Sequence, residues 1–386
     1  MKPPPIPSTV PPSAAAPTEA VARSRFACAQ CGGEATWNPE RKVLACSHCG
    51  TVAPVDLTMA PDSSVTIEEH DLVAALESIP SDRRGWQQSK IQVRCQSCTA
   101  ISVFDPDKIG KRCEFCGSSA LVPYEQVQEA FSPESLLPMV LGEAQVREAV
   151  RAWYRSRWFA PSELGTRAMT DTVRGVYIPY WTFDAQVHAR WTAMSGYHYY
   201  VTESYTDAQG NQQTRQVQRT RWEPSSGAVR HFFDDELVSA TQGVDPTLLR
   251  GIEPFPTEKL VPYEPGFLAG WTVERYQLDL VAAAKHARES MSAQLRSMCA
   301  AQVPGDTHMN LAVYPDWSGQ TFKHILVPIW VLTYHYHGRP YQLVVNAVTG
   351  VIAGSRPYSV WKILFLVATV LLVLGVIVLT AKWQQR

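Results

Sequence analysis

Eight of the nine cysteines fall in four Cys-x-x-Cys pairs, and the pairs repeat on one spacing. The first set is Cys28-x2-Cys31-x14-Cys46-x2-Cys49. The second is Cys95-x2-Cys98-x14-Cys113-x2-Cys116. A shift of 67 residues (95 − 28) superposes all eight cysteines. It also lays Phe26 on Val93, Trp37 on Phe104, Pro39 on Pro106 and Gly50 on Gly117. Two thiolates on a Cys-x-x-Cys loop can reach one ion while nearby backbone N–H groups point at sulfur. A glycine after the second cysteine eases that loop, because it takes positive φ without strain. Gly32, Gly50 and Gly117 hold that place, and Thr99 departs from it. Two such loops joined by a hairpin close a tetrahedral four-sulfur site with no position left for a substrate. The chemistry expected is therefore structural binding of two zinc ions, one per set, with iron in a rubredoxin-like site as the alternative. Modules this small need their metal to fold.

The elements that must position these thiols follow from the flanking sequence. Trp37 and Phe104 would pack as the miniature core of each hairpin. The ribbons are expected at 25–55 and 92–122. A proline-rich, disordered tail occupies 1–24. A linker with a short helix occupies 56–91, where Ile67, Leu72, Val73, Leu76 and Ile79 recur at near-helical spacing before Pro80. A larger α+β domain is expected over 126–358. Ser132-Pro133-Glu134 predicts a helix start. Residues 143–158 predict a helix with Val146, Val150, Trp153 and Trp158 on one face. Residues 173–233 predict strands, with turns at Gly196 and at Asp207–Gly210. Residues 276–300 predict one long amphipathic helix, carrying Cys299 as a small buried hydrophobe. Strands return at 324–338 and 339–354, with a hairpin turn at Asn346–Gly350. Tyr177-Ile-Pro-Tyr-Trp181 and Leu326-Val-Pro-Ile-Trp330 share an apolar-Pro-x-Trp pattern. The pattern reads either as two related strand heads, where proline is tolerated, or as coincidence in a chain rich in both residues.

Residues 363–381 contain no charge. As a helix they span roughly 28 Å, close to the apolar thickness of a bilayer. Trp361 and Lys362 precede them, and Lys382 and Trp383 follow, as suits membrane–water interfaces. A transmembrane helix is expected over 361–382, with a short tail at 383–386. The N-terminus has no apolar signal segment. The bulk of the chain is therefore expected in the cytoplasm, on the inner membrane, in a reducing environment that suits metal thiolates better than disulfides.

Several function classes lose ground. Formal net charge is −1. Residues 26–120 carry nine Lys and Arg against twelve Asp and Glu, and each zinc with four thiolates adds a formal charge of about −2. Phosphate binding needs a clustered cationic surface. No GxxxxGK[ST], HExxH or GxSxG motif is present. His335 and His337 would share a strand face. His231 lies near Asp234, Asp235 and Glu236. Both groups read more simply as packing and surface residues than as an acid–base or metal site. No enzyme activity is expected.

The double ribbon with RCQSCTAISVFDPDKIGKRCEFCGSSALVPYE resembles a family of bacterial membrane proteins. So do GVYIPYWTFDAQVHARW, FKHILVPIWVLTYHYHGRPYQLVVNAVTG and the terminal anchor. These are membrane-anchored double zinc-ribbon (TFIIB-type zinc ribbon) proteins, some labelled primosomal protein N′-like helicase. The resemblance implies the eight cysteines as ligands. It also implies protein partners of the SPFH (flotillin-like) or PspA-like, phage-shock type, recruited to the membrane. The expected protein is a non-enzymatic, membrane-anchored zinc-ribbon scaffold. The alternative is a nucleic-acid-binding or replication-associated module.

Overall fold

The computed structural model describes residues 26–28, 30–53, 67, 69–78, 91–96, 100–104, 113, 115, 121–123, 132–161, 173–206, 212–336 and 339–384. The first ribbon is a four-stranded antiparallel sheet, β1 (Phe26–Ala27), β2 (Glu34–Asn38), β3 (Val43–Cys46) and β4 (Val52–Ala53), paired in chain order. Next come β5 (His70–Asp71), helix α1 (Leu72–Ser78), β6 (Ile91–Cys95), β7 (Ile101–Phe104) and β8 (Leu121–Pro123).

The larger domain is two copies of one plan. Its first half runs β9 (Ser135–Leu136), α2 (Glu143–Arg155), β10 (Val173–Thr206) and β11 (Gln212–Ser239). A short helix α3 (Pro246–Arg250) and strand β12 (Val261–Pro262) intervene. The second half runs β13 (Thr272–Glu274), α4 (Leu280–Gln302), β14 (Thr307–Tyr336) and β15 (Arg339–Asn346), followed by β16 (Ile352–Gly354). In each half a short strand leads into a helix, a very long strand and an antiparallel return strand. The long strands β10 and β14 pair antiparallel down the middle of the sheet. Each receives the short parallel strand of the other half: β13 lies on β10 and β9 lies on β14.

The two Pro-x-Trp motifs sit opposite each other in this central pair, with Tyr177 facing Pro328 and Pro179 facing Leu326. They are not strand heads, as the sequence suggested, but strand interiors. Proline is tolerated there because its side of the strand is changing neighbours. β10 is paired with β13 up to Tyr177 and with β11 from Tyr180. β14 is paired with β9 up to Leu326 and with β15 from Ile329. The missing N–H of each proline faces the gap between two ladders, so no ladder bond is lost. The carbonyls on that side are used: Pro179 accepts from Ala240 N–H at 3.0 Å and Pro328 from Ala347 N–H at 3.2 Å.

Burial follows from what covers each face. From Val176 to Ala185, β10 is buried on both faces; from Gln186 it alternates. Beyond that point one face is covered by α4. Ala185, Val187, Ala189 and Trp191 meet Ala283, Ala287, Met291 and Cys299 in one apolar cluster. Helix α4 starts at Leu280 rather than Tyr276, because the Asp279 carboxylate accepts the Ala282 N–H at 2.8 Å and caps it. Helix α2 buries Val146, Val150 and Tyr154. Trp158, expected on that face, lies past the helix end at Ser156 and is 64% exposed.

Three more expectations change. Glu134 begins no helix: its N–H donates to the His324 carbonyl at 3.0 Å, and the chain continues into β9. Gly196 is not a turn but lies inside β10, where a side chain would collide with Thr307 and Trp222. Among the residues expected on the short linker helix, Leu72 is buried, whereas Val73 and Leu76 are exposed. Ile79 lies outside the described residues, as does the turn at 207–210. The Asn346–Gly350 turn stands as expected. Gly350 has φ 79°, and Asn346 N–H donates to the Val351 carbonyl at 2.9 Å.

The chain ends in α5 (Val360–Gln384). Its window Val360–Ile377 has a mean hydropathy of 2.7 and is not buried against the protein. It is one helix long and apolar enough to cross a membrane. Lys362 Nζ ties its start to the Ala160 carbonyl at 2.8 Å.

Candidate metal centre

The first ribbon brings four sulfurs to one point. Cys28 lies 3.5 Å from Cys49, Cys31 lies 3.6 Å from Cys46, and all four sulfurs fall within 4.8 Å of one another. Tetrahedral zinc with Zn–S of about 2.3 Å requires sulfur separations of about 3.8 Å, so the donor set fits a metal ion. Local hydrogen bonds build the two loops. Gly32 N–H donates to the Cys28 carbonyl at 2.8 Å, and Gly50 N–H to the Cys46 carbonyl at 3.0 Å. Both glycines take positive φ, 70° and 72°, as expected from their places after Cys31 and Cys49. The ion would be half-enclosed, since Cys28 and Cys46 are buried while Cys31 and Cys49 are exposed.

The thiols cannot all ionise without a cation among them. The Thr51 hydroxyl, 3.0 Å from the Cys49 sulfur, and the Thr51 N–H hold the Cys49 thiol down to about 6. The Gly33 N–H favours the Cys31 thiolate, but the crowding sulfurs of Cys49 and Cys46 outweigh it and push that thiol up to about 12. A divalent ion removes this conflict.

Part of the second set is described, and it repeats the first. Phe26 pairs with Ala35 and Ala27 with Glu34 in ribbon one. At the 67-residue offset, Val93 pairs with Ser102 and Arg94 with Ile101. The loop bond repeats too: Cys28 N–H to Gly33 at 2.6 Å matches Cys95 N–H to Ala100 at 2.9 Å. Cys95 and Cys113 are buried. Cys98 and Cys116 lie outside the described residues.

The surroundings differ between the two. Ribbon one docks through Trp37, which is 3% exposed. Its indole N–H donates to the Met139 carbonyl at 3.2 Å, its backbone N–H to the Ala269 carbonyl at 3.1 Å, and its ring meets Phe267 edge-on at 4.7 Å. Trp37 is thus less a miniature core than a plug into the larger domain. The second hairpin joins the large sheet directly, with Val103 of β7 opposite Val273 of β13. Beside it, Glu274 is fully buried. It accepts from the Thr241 hydroxyl and from the Gln277 side chain, and burial pushes its carboxyl up to about 8.

The remaining candidates separate. Cys299 is buried in α4 among apolar side chains, and burial raises its thiol. His231 lies on β11, its ring edge-on to Phe233 at 4.5 Å. His335 lies in β14 opposite Pro340, and His337 is outside the described residues. Asp184, Asp234 and Asp235 do bring oxygens within 4.8 Å of one another. Their cation, however, is internal. Lys323 Nζ lies 2.9 Å from Asp235 and 3.0 Å from Glu69. Burial works against the charge on Lys323, but those carboxylates hold its ammonium above the ordinary range. Asp184 sits at a bulge in the ladders to β11 and β14. It accepts from Asp235 N–H at 2.6 Å and Thr321 hydroxyl at 2.9 Å. Glu236 binds Ser290 and Gln294 instead. This network was invisible in the sequence, since Lys323 and Glu69 are 254 residues apart.

No protein-family model matches the chain, and no solved structure matches it. The chain is 21% identical over 346 residues to a protein of Bacillus subtilis (strain 168), "Uncharacterized protein YdjG", with 88% of this chain and 91% of that one covered.

Proposed function

We propose that this chain is a non-enzymatic, membrane-anchored zinc-ribbon scaffold that presents docking surfaces for protein partners of the SPFH or PspA-like type. The observation that carries the reading is the seat of Trp37. It joins a four-thiol centre to the same domain that holds the start of the apolar helix α5. Metal in the first ribbon then stiffens a surface tethered at the bilayer, and the eight cysteines hold two zinc ions. The bulk of the chain faces the cytoplasm, where thiolates stay reduced.

The test is affinity capture of the full chain from detergent-solubilised membranes, beside a version ending at Ser359. The full chain should sediment with membranes and recover membrane-associated partner proteins, and the shortened one should be soluble. Recovery of nucleic acid and replication proteins, with no membrane protein, would overturn the scaffold reading in favour of a nucleic-acid module.

A further inference from the structure

The β10–β11 hairpin outlasts its third strand. β14 begins at Thr307, opposite Gly196, whereas β10 and β11 stay paired as far as Thr206 and Gln212. Over residues 197–206, no strand among the described residues covers the side of β10 that β14 covers elsewhere. The last covered residues fix which peptide groups face that side. The Gly196 carbonyl accepts from Asp306 N–H at 2.8 Å, and the His198 N–H donates to the Asp306 carboxylate at 2.7 Å. Successive residues of a strand turn their peptide groups to alternate sides. Tyr200, Thr202, Ser204 and Thr206 therefore aim their N–H and C=O groups outward.

Exposed edges usually carry charge or proline that blocks pairing. The far edge of β11, unpaired among the described residues, has both, in Arg215, Arg219, Arg221, Glu223 and Pro224. The open stretch of β10 reads YHYYVTESYT, with no proline, lysine or arginine and Glu203 as its one acid. A two-stranded hairpin is also marginal in water without a further layer or strand.

We propose that this open edge pairs, antiparallel, with the same edge of a second copy of the chain, about a two-fold axis through Thr202. The sequence is self-complementary in that register. Thr202 faces its own copy, and Tyr200 faces Ser204. Tyr199 faces Tyr205 twice, and those rings are 45% and 44% exposed in the single chain. Cross-strand aromatic pairs of this kind favour the ladder. Each Glu203 faces Val201 rather than the other Glu203, so no like charges oppose. Arg215 already lies over the Tyr205 ring at 5.5 Å. The contact is isologous and closes at two copies. Anchoring both copies in one membrane raises their effective concentration, so a modest edge suffices. The inference stands apart from the identity of any docking partner.

The test uses full-length chains in membranes. Tyr199→Cys and Tyr205→Cys versions, differently tagged, are co-expressed and oxidised, and the disulfide is located by peptide mass. The mixture should give a 199–205 cross-link. Neither version alone should, because like positions lie six residues apart in this register, about 20 Å. Adding Thr202→Pro to both versions should abolish the cross-link. The Thr202 N–H faces the open edge, so that proline removes no bond to β11. Absence of a cross-link in the mixture, an equal cross-link from either version alone, or one undiminished by Thr202→Pro would overturn the pairing.

Discussion

Trp181 and Trp330 make equivalent bonds in the two halves of the large domain. The indole of Trp181 donates to the Leu278 carbonyl at 2.9 Å, two residues before α4; that of Trp330 donates to the Leu141 carbonyl at 3.0 Å, two residues before α2. Each tryptophan follows its proline by two residues and fastens the helix of the opposite half. Trp181→Phe and Trp330→Phe keep most of the ring but leave a carbonyl without its donor. Each should lose about 1–3 kcal/mol of stability. Thermal unfolding in detergent, followed by near-ultraviolet circular dichroism, should show similar losses for the two variants. A large loss for one and none for the other would contradict their equivalence.

The four-thiol centre predicts metal stoichiometry. Elemental analysis of the intact chain should find two zinc ions. Cys46→Ser should remove one of them and leave the Cys95 set loaded. A structural zinc site contributes on the order of 10 kcal/mol to the folding of its own module. That variant should therefore lose protease resistance in 26–53 while the large domain keeps its melting transition. Loss of both ions from the single change would mean that the two sites are not independent.

Trp37→Ala separates docking from metal binding. The indole packs against the larger domain rather than the sulfurs, so zinc content should be unchanged. Emptying a fully buried tryptophan site costs about 3–5 kcal/mol, enough to release the ribbon from Met139 and Phe267. Hydrogen exchange at the backbone N–H of residue 37, bonded to the Ala269 carbonyl in the wild type, should become fast in the variant. Continued protection would show that the ribbon has another seat.

Glu134 gives a pH signature. Burial raises its carboxyl above the ordinary value of 4.5, although the His324 N–H and His70 beside it oppose the shift. The folded state therefore holds this proton more tightly than the unfolded chain. Its contribution is fully present below the ordinary carboxyl value and is lost as pH rises through the raised folded value. Glu134→Gln can still accept the His324 N–H but has no proton to lose. The melting temperature of wild type relative to this variant should fall as pH climbs from 4 toward neutrality. A difference independent of pH would show that the carboxyl does not titrate over this range.

Local chemistry was legible in the chain. Cysteine spacing located the loops of the first ribbon, and the glycines after Cys31 and Cys49 gave their geometry. Asn346–Gly350 announced its own hairpin, and the long helix starts four residues later than expected, because Asp279 caps it. What could not be read was pairing at a distance. Pro179 and Pro328 looked like strand-head residues because sequence shows a missing N–H but not the gap it faces. Ser132-Pro133-Glu134 carried a good local helix signal, yet Glu134 binds the backbone of His324 far along the chain. Trp37 was assigned to its own module because nothing local names Met139 or Ala269 as partners.

The length of β10 has a consequence for spacing. Val173 lies opposite Leu332, two residues from Tyr334, whose hydroxyl reaches the Ser355 carbonyl shortly before α5. From there β10 continues for 34 residues, a contour of about 110 Å at the usual rise per residue. The tip of the arm is thus remote, along the chain, from α5, the helix proposed to anchor the protein in lipid. Two copies paired as proposed would meet tip to tip while their α5 helices stay far apart. The distance between neighbouring anchors would then be measured out by the sheet, not by contacts within the bilayer.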